Sequence, residues 1–466
     1  MAAPSATPKR CDVLVVGAGL SGLQAALSVR SAGFSVCVVE AINRVGGKTL
    51  TVQSCEKGFN DMGASWINDT NQNEMFKLYQ RYGIDMEIQR DCGHTLIQSP
   101  DGSVAKVPYG QLPSDTDVIL DLFQIFRDEC SLIDLDNPTN SASAREIDQL
   151  TFREFCVQKA QSNSAIRIAD MLSNALLGVE SDELSALSML LYFKSGAGID
   201  NIISEQKDGG QYLRNRQGNQ TISQKMAEEL GSDAVFLRMP VTSVDQSQHR
   251  SCVVQTEGGI TFHCQRVIVS VPTTLYHKIM FNPPLPDKKV TLSNNTITGY
   301  YTKIVYIFKE PWWQKAGFSG VLNSEKGPIV FTRDTSIAAD DQWSITCFIT
   351  GDKGRNWSKL PRAVRYKQAW DQLSRSFGAF TNVPQPDNTL EMEWTKESFF
   401  LGAPCPVTVP GILSIVGSES AMPFGRVHFV GTETSPVWRG YMEGAVRSGQ
   451  RGAAEVVKAL STQPAV

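Results

Sequence analysis

Six residues near the start of the chain, Gly17-Ala18-Gly19-Leu20-Ser21-Gly22, have a spacing suited to a diphosphate. Gly17 permits a tight turn, Gly19 lets the backbone approach a pyrophosphate, and Gly22 lets the following helix pack close to its sheet. The phosphates would sit at the helix N-terminus, where free N–H groups and the helix dipole favour negative charge. Glu40 offers a carboxylate to ribose hydroxyls. Arg44-Val45-Gly46-Gly47-Lys48 follows, a second glycine pair ending in a cation. An NAD enzyme has no standard glycine pair there, so the combination points to FAD. Asp61-Met62-Gly63-Ala64-Ser65-Trp66 is another small-residue turn, with Trp66 available to pack on a ring. Near the other end, Gly431-Thr432-Glu433 and the run to Tyr441-Met442 precede a long helical pattern. A helix N-terminus there suits the pyrimidine edge of a flavin, where reduction places negative charge.

The elements that must carry these residues can be read locally. Val13–Val16 is an apolar β-branched run, as in a buried parallel strand. A helical stretch follows, Gly33 stops it, and residues 35–40 form a second strand, completing a βαβ unit. Residues 74–90, 117–135 and 144–192 read as mainly helical. Strand patterns return over 234–272, with a hairpin at Gly258-Gly259, and again at 301–309, 343–350 and 426–433. Residues 440–460 read as a terminal helix. Dinucleotide signals lie at both ends and in the middle of the chain. The expected fold class is therefore α/β: an FAD-binding Rossmann-like domain from discontinuous segments 1–79, 208–293 and 395–466. An inserted mixed-sheet and helical substrate domain would take 80–207 and 294–394.

Length and composition bound the rest. At 466 residues, two or three domains are expected. Lys plus Arg (44) nearly balance Asp plus Glu (48), which argues against a nucleic-acid or anionic-membrane partner. The ten cysteines form no CxxC pair, so free thiols in a reducing compartment are expected. The five histidines are scattered and give no metal spacing. Neither terminus carries a signal peptide or hydrophobic tail, so a cytoplasmic protein is expected.

Taken together, VLVVGAGLSG…VVEAINRVGGK and FVGTETSPVWRGYMEGAVRSGQRGAAEV resemble the flavin-containing amine oxidase family, of the monoamine oxidase type. The resemblance implies a cofactor set of Gly17, Ala18, Gly19, Ser21, Gly22, Glu40, Ala41, Gly47 and Lys48. It adds Gly63, Ala64, Ser65, Trp66, Val241, Trp394, Gly431, Thr432, Glu433, Tyr441 and Met442. In that set Val241 meets the adenine, Glu433 the ribityl chain, and the Met442 backbone the flavin. Lys303 in YYTKIVYIFKEPWW matches the family's active-site lysine, which holds a water at the flavin. On its own it would read as a solvated strand lysine; the matching flank KEPWW reverses that. Tyr441 would form one wall of an aromatic cage for the amine and act with Lys303 in catalysis.

Departures from the family pattern carry expectations of their own. Ala403 falls where covalent members have a flavin-linked cysteine, and Cys405 lies two residues off, so noncovalent FAD is expected. Pro404 falls where the second cage tyrosine would be, leaving Phe399 or Phe400 to complete the cage. Lys48 and Ile42 replace family arginines, so those phosphate contacts are weaker or moved. Arg439 reads as surface-facing. The substrate cavity is expected to include Tyr192, Phe348, Phe400, Ala403 and Tyr441, with apolar segments 186–200 and 343–350 along it. The implied reaction is oxidative deamination of a hydrophobic or long-chain primary amine to an aldehyde or ketone, ammonia and H2O2. Polyamine or L-amino-acid oxidation, and a non-catalytic flavin-binding role, are the alternatives. The partners implied are a small-molecule amine and O2, with a homodimer as the candidate assembly.

Overall fold

In a computed structural model of the chain, residues 8–111 and 116–462 are described; the first seven and last four residues, on which the terminal expectations partly rest, lie outside them. Val13–Val16 is fully buried and pairs in parallel with Val36–Val39 on one side and Arg266–Val269 on the other. Val235–Phe236 and Val427–Phe429 extend this sheet, giving five parallel strands from five distant stretches of chain. Runs of Val and Ile suit strands covered on both faces.

The terminal helix Met442–Ser461 lies against the helix Leu20–Ser31. Gly449 makes that closeness possible: a Cβ there would sit 2.3 Å from the Ser21 carbonyl oxygen. The last helix thus packs on the first dinucleotide motif.

A seven-stranded mixed sheet runs Asn388–Glu393, Tyr301–Phe308, Trp343–Thr350, Phe331–Asp334, Phe318–Ser324, His94–Gln98 and Val104–Pro108. Its Phe318–Ser324/His94–Gln98 pairing is parallel and the others antiparallel. Helices between Thr116 and Ile202 gather around Phe126, Phe152, Phe155 and Phe193 in a separate hydrophobic core. The architecture is α/β, with this mixed sheet and helical cluster set beside the discontinuous parallel sheet.

One expected helix is shorter than its pattern. Asn73–Tyr82 ends where Gly83 takes a left-handed conformation (φ 62°) and returns its N–H to Gln80 and Tyr79. Met86–Ile88 is then a strand pairing with Leu213–Asn215. The glycine stop overrides the apolar periodicity that continues to residue 90. No helix among the described residues is long and apolar enough to cross a membrane, and all ten cysteines are free.

Candidate active site

Two glycine loops meet face to face. The Gly46 N–H donates to the Ala18 carbonyl at 2.8 Å, and a Cβ on Gly47 would stand 3.1 Å from the Gly19 Cα. Gly17 adopts φ +104°, and a Cβ there would meet the Ser270 carbonyl oxygen at 2.7 Å. A Cβ on Gly22 would lie 2.0 Å from the Gly17 carbonyl oxygen, so no other residue fits. Gly19 differs: its Cβ would point into open space, 3.8 Å from the nearest atom. A third turn joins the pair, because the Ala64 N–H donates to the Lys48 carbonyl at 3.1 Å.

Glu40 closes the end of the second strand. Its Oε2 accepts from the Ala18 N–H at 2.7 Å and its Oε1 from the Ile42 N–H at 3.1 Å. Burial raises its pKa against those hydrogen bonds. Ser21 Oγ lies 2.7 Å from Ser270 Oγ.

These loops open into a cavity of about 880 Å³ that continues past Trp66 and Lys303 to Tyr441. Two helices aim their N-termini at it, from Gly19 and from Tyr441, and neither has a side-chain cap. Each therefore offers unpaired backbone N–H groups to an anionic or acceptor-rich guest. A dinucleotide fits this set of donors, with Glu40 near one loop and a long apolar continuation for a flat ring. Ala41, Val241, Trp394, Gly431, Thr432, Glu433 and Met442 line the same cavity, whereas Ala18 and Gly22 stand behind the loop.

Lys303 lies on the strand Tyr301–Phe308, next to the outermost strand of the mixed sheet, and is 4% exposed. Its Nζ donates to the Gly63 carbonyl at 2.6 Å, Ser65 Oγ at 2.8 Å and the Asp61 carbonyl at 3.0 Å. The Nζ also stands 5.4 Å from the ring centroids of both Trp66 and Phe348. Burial lowers the lysine's pKa, and Asp61 only partly restores it. Burial likewise raises the Asp61 carboxyl, although Thr51 Oγ1 and the Asn219 N–H donate to it at 2.7 and 2.9 Å. Trp394 grips the same turn, its Nε1 donating to the Met62 carbonyl at 3.0 Å.

The aromatic wall is built around Tyr441. Tyr441 stacks on Tyr192, with centroids 5.7 Å apart and planes 23° off parallel, and meets Trp438 edge-on at 4.7 Å. That stacking leaves no slot for an amine between Tyr192 and Tyr441. Phe400 lies edge-on to Trp394 at 5.2 Å, in a small cluster with Ala403. Phe399 and Phe400 both line the cavity, but neither is among the described ring partners of Tyr441. Across the cavity, Phe348 stacks on Phe331 at 4.2 Å and meets Tyr301 edge-on at 5.8 Å.

Two expectations are corrected. Arg439 does not face the surface: it lines a cavity with Cys405 and Glu433 because Gly440 packs directly on Tyr192 and Cys405. Segments 186–200 and 343–350 each contribute one described lining residue to the main cavity, Tyr192 and Phe348. Arg167, Asp170 and Asn174 from the helix Ser164–Leu177 add a polar stretch that the apolar expectation lacked. Lys48, expected to make a weaker or moved phosphate contact, lines the main cavity and turns its Nζ to the Pro404 carbonyl at 3.1 Å.

Sequence reading missed Tyr301, Phe331 and the strand end Ser270-Val271-Pro272, all on the cavity wall. Tyr301 had a signal: two positions before Lys303 on a strand, it shares its face. Phe331 had none, since its strand joins the site only through the sheet order.

Residues 20–457 match the family described as flavin containing amine oxidoreductase. The chain is 32% identical over 467 residues to flavin-containing amine oxidase B of Canis lupus familiaris, covering 98% of this chain and 88% of that one. It is 32% identical over 457 residues to flavin-containing amine oxidase A of Sus scrofa, covering 96% and 85%. Among solved structures, putrescine oxidase bound to putrescine superposes with a TM-score of 0.89 at 26% identity, over 97% of this chain and all (100%) of that one. Cyclohexylamine oxidase from Brevibacterium oxydans gives 0.89 at 27% identity, over 97% and 99%.

Proposed function

The chain belongs to the flavin-containing amine oxidoreductase family, and on that premise we propose that it deaminates an apolar or long-chain primary amine oxidatively. The overall change is amine plus O2 plus water to aldehyde or ketone, ammonia and H2O2. Bound in the cavity, FAD supplies the two-electron acceptor for hydride from the amine α-carbon and the site of electron transfer to O2.

The chain's residues hold and orient. The Gly17–Gly22 loop, the N-terminus of the helix Leu20–Ser31 and Gly47 receive the diphosphate, and Glu40 the ribose. Met442, at the start of the last helix, offers its N–H to the ring edge, and Glu433 takes the ribityl chain. Without a cysteine at Ala403, the cofactor is held noncovalently. The cofactor and substrate regions divide as 1–79, 208–293 and 395–466 against 80–207 and 294–394.

Tyr441, fixed by Tyr192 and Trp438, presents a flat wall to the substrate. Tyr301, Phe348 and Phe331 present another, and both favour an apolar chain. A buried cation at Lys303 disfavours a second cation beside it, so the amine binds neutral. When Lys303 is neutral, its nitrogen has a lone pair that can accept from a water and steer it to the imine product. The observation that carries this reading is the juxtaposition of Lys303 with the Asp61–Ser65 turn, in one cavity with Tyr441.

The test is a panel of straight-chain amines, benzylamine, putrescine and L-amino acids given to FAD-loaded protein, with peroxide and ammonia both measured. Equal amounts of the two from apolar primary amines are expected. A clear preference for putrescine would replace the substrate class with polyamines; no peroxide from any amine would leave only a binding role.

A further inference from the structure

Behind the wall formed by Tyr192, Pro406 and Glu433 lies a second cavity of about 170 Å³, and those three residues line both spaces. Its chemistry is unlike the first. Arg439 lines it, and the guanidinium makes no hydrogen bond or ion pair among the described residues; only the backbone N–H of Arg439 is bonded, to Ser195 Oγ at 3.1 Å. By contrast, the terminal guanidinium nitrogens of Arg214 donate to the Thr335 and Ser336 carbonyls and Arg365 donates to Glu393, although the Nε of each is buried without a partner.

Two more unpaired donors belong to residues of the same cavity. Thr408 Oγ1 is buried without a partner, and so is Arg451 Nε, although the other Arg451 nitrogens donate to Ala421, Phe429, Thr434 and Glu455. The acidic groups lining the space are Asp136 and Glu433. Glu433 Oε1 already accepts from the Thr273 N–H and hydroxyl, at 3.0 and 3.1 Å. Burial depresses the Arg439 pKa more strongly than Cys405 and Glu433 raise it. A guanidinium that lines a cavity without a protein hydrogen-bond partner favours an acceptor guest.

We propose that this rear cavity is a binding site for one small monovalent anion, a halide or a short carboxylate, held by the Arg439 guanidinium. The planar guanidinium fork matches a carboxylate in two-point contact and also accepts a spherical halide. One guanidinium calls for no more than a monoanion. Bound there, the anion sits one side chain from Tyr441, through Tyr192, and beside Glu433. The flavin-proximal wall is thereby tied to the anion content of the medium, independently of which amine is oxidised.

The test needs no turnover. FAD-loaded protein is melted in increasing sodium bromide or sodium acetate, with ionic strength held constant by a bulky anion too large for the cavity. The expected result is a saturable rise in melting temperature, as ligand linkage requires. Half-saturation should move at least 10-fold higher in Arg439→Gln. Bromide alone, acetate alone or both identifies the class of anion. Bromide-soaked crystals of the unaltered protein give a second reading that does not depend on the variants folding. An anomalous peak beside the Arg439 guanidinium is expected. Water alone in that place, or equal thermal shifts with and without Arg439, would overturn the proposal.

Discussion

Lys303 and Gly63 are joined by a 2.6 Å hydrogen bond across 240 positions of sequence. The bond links the mixed sheet to the turn that packs on the second glycine loop. Three oxygens of one short turn, those of Asp61, Gly63 and Ser65, receive the three donors of one ammonium. The lysine is at once a cation at the reacting end of the cavity and a clasp between the two sheets.

Lys303→Met removes the nitrogen and keeps the chain's length. Amine turnover is expected to fall at least 100-fold, within the range of a lost proton-handling group. Flavin content should stay near one per chain. Steady-state peroxide release and the absorbance of the purified variant check both points, and an unchanged rate takes Lys303 out of the mechanism.

The pH response of the same residue has a definite sign. Burial brings Lys303 down to about 8 from 10.5. Between those values the folded chain has lost a proton that the unfolded chain keeps, so stability rises with pH across the window. The gain approaches ~3 kcal/mol at the upper end. Melting curves of the wild type and Lys303→Met from pH 7 to 10 should converge or cross as pH rises. Parallel curves would place the lysine's titration elsewhere.

Glycines of the first loop separate folding from binding. Gly22→Ala puts a Cβ 2.0 Å from a backbone oxygen, and loss of soluble folded protein is expected. Gly19→Ala meets nothing closer than 3.8 Å, so the apoprotein should melt within a few degrees of wild type. Its methyl would nevertheless occupy the face where a diphosphate approaches, and FAD affinity should drop at least 10-fold. Titration of both apoproteins by flavin fluorescence quenching decides this.

Acid precipitation addresses the cofactor linkage. With alanine at 403, all yellow colour is expected in the supernatant. Flavin left in the pellet would show a covalent bond to another residue.

Much of this arrangement was legible because it is local. The βαβ unit, its glycines and Glu40 lie within thirty residues, and periodicity alone finds the strand, turn and helix. The lysine strand and the terminal helix were equally plain. Partners brought together by sheet order were not legible. The Tyr192–Tyr441 stack joins a helix of the aromatic core to the cap of the last helix, and no local pattern encodes that meeting. The same holds for Arg439, whose place depends on Gly440 packing against Tyr192 and Cys405. The Pro404 carbonyl that Lys48 reaches lies 356 positions away and was likewise beyond any local pattern.

The central sheet has a bearing on biosynthesis. Its first strand leaves the ribosome early, yet both of its neighbours are needed to bury it, and Arg266–Val269 emerges hundreds of residues later. Val427–Phe429 and the helix that covers Leu20–Ser31 come last of all. Nucleotide capture is therefore a post-translational event, and a nascent chain must keep an exposed strand of valines from aggregating until its C-terminus is released. A nonsense codon between Val427 and Met442 should yield colourless, chaperone-bound polypeptide rather than a weakened enzyme.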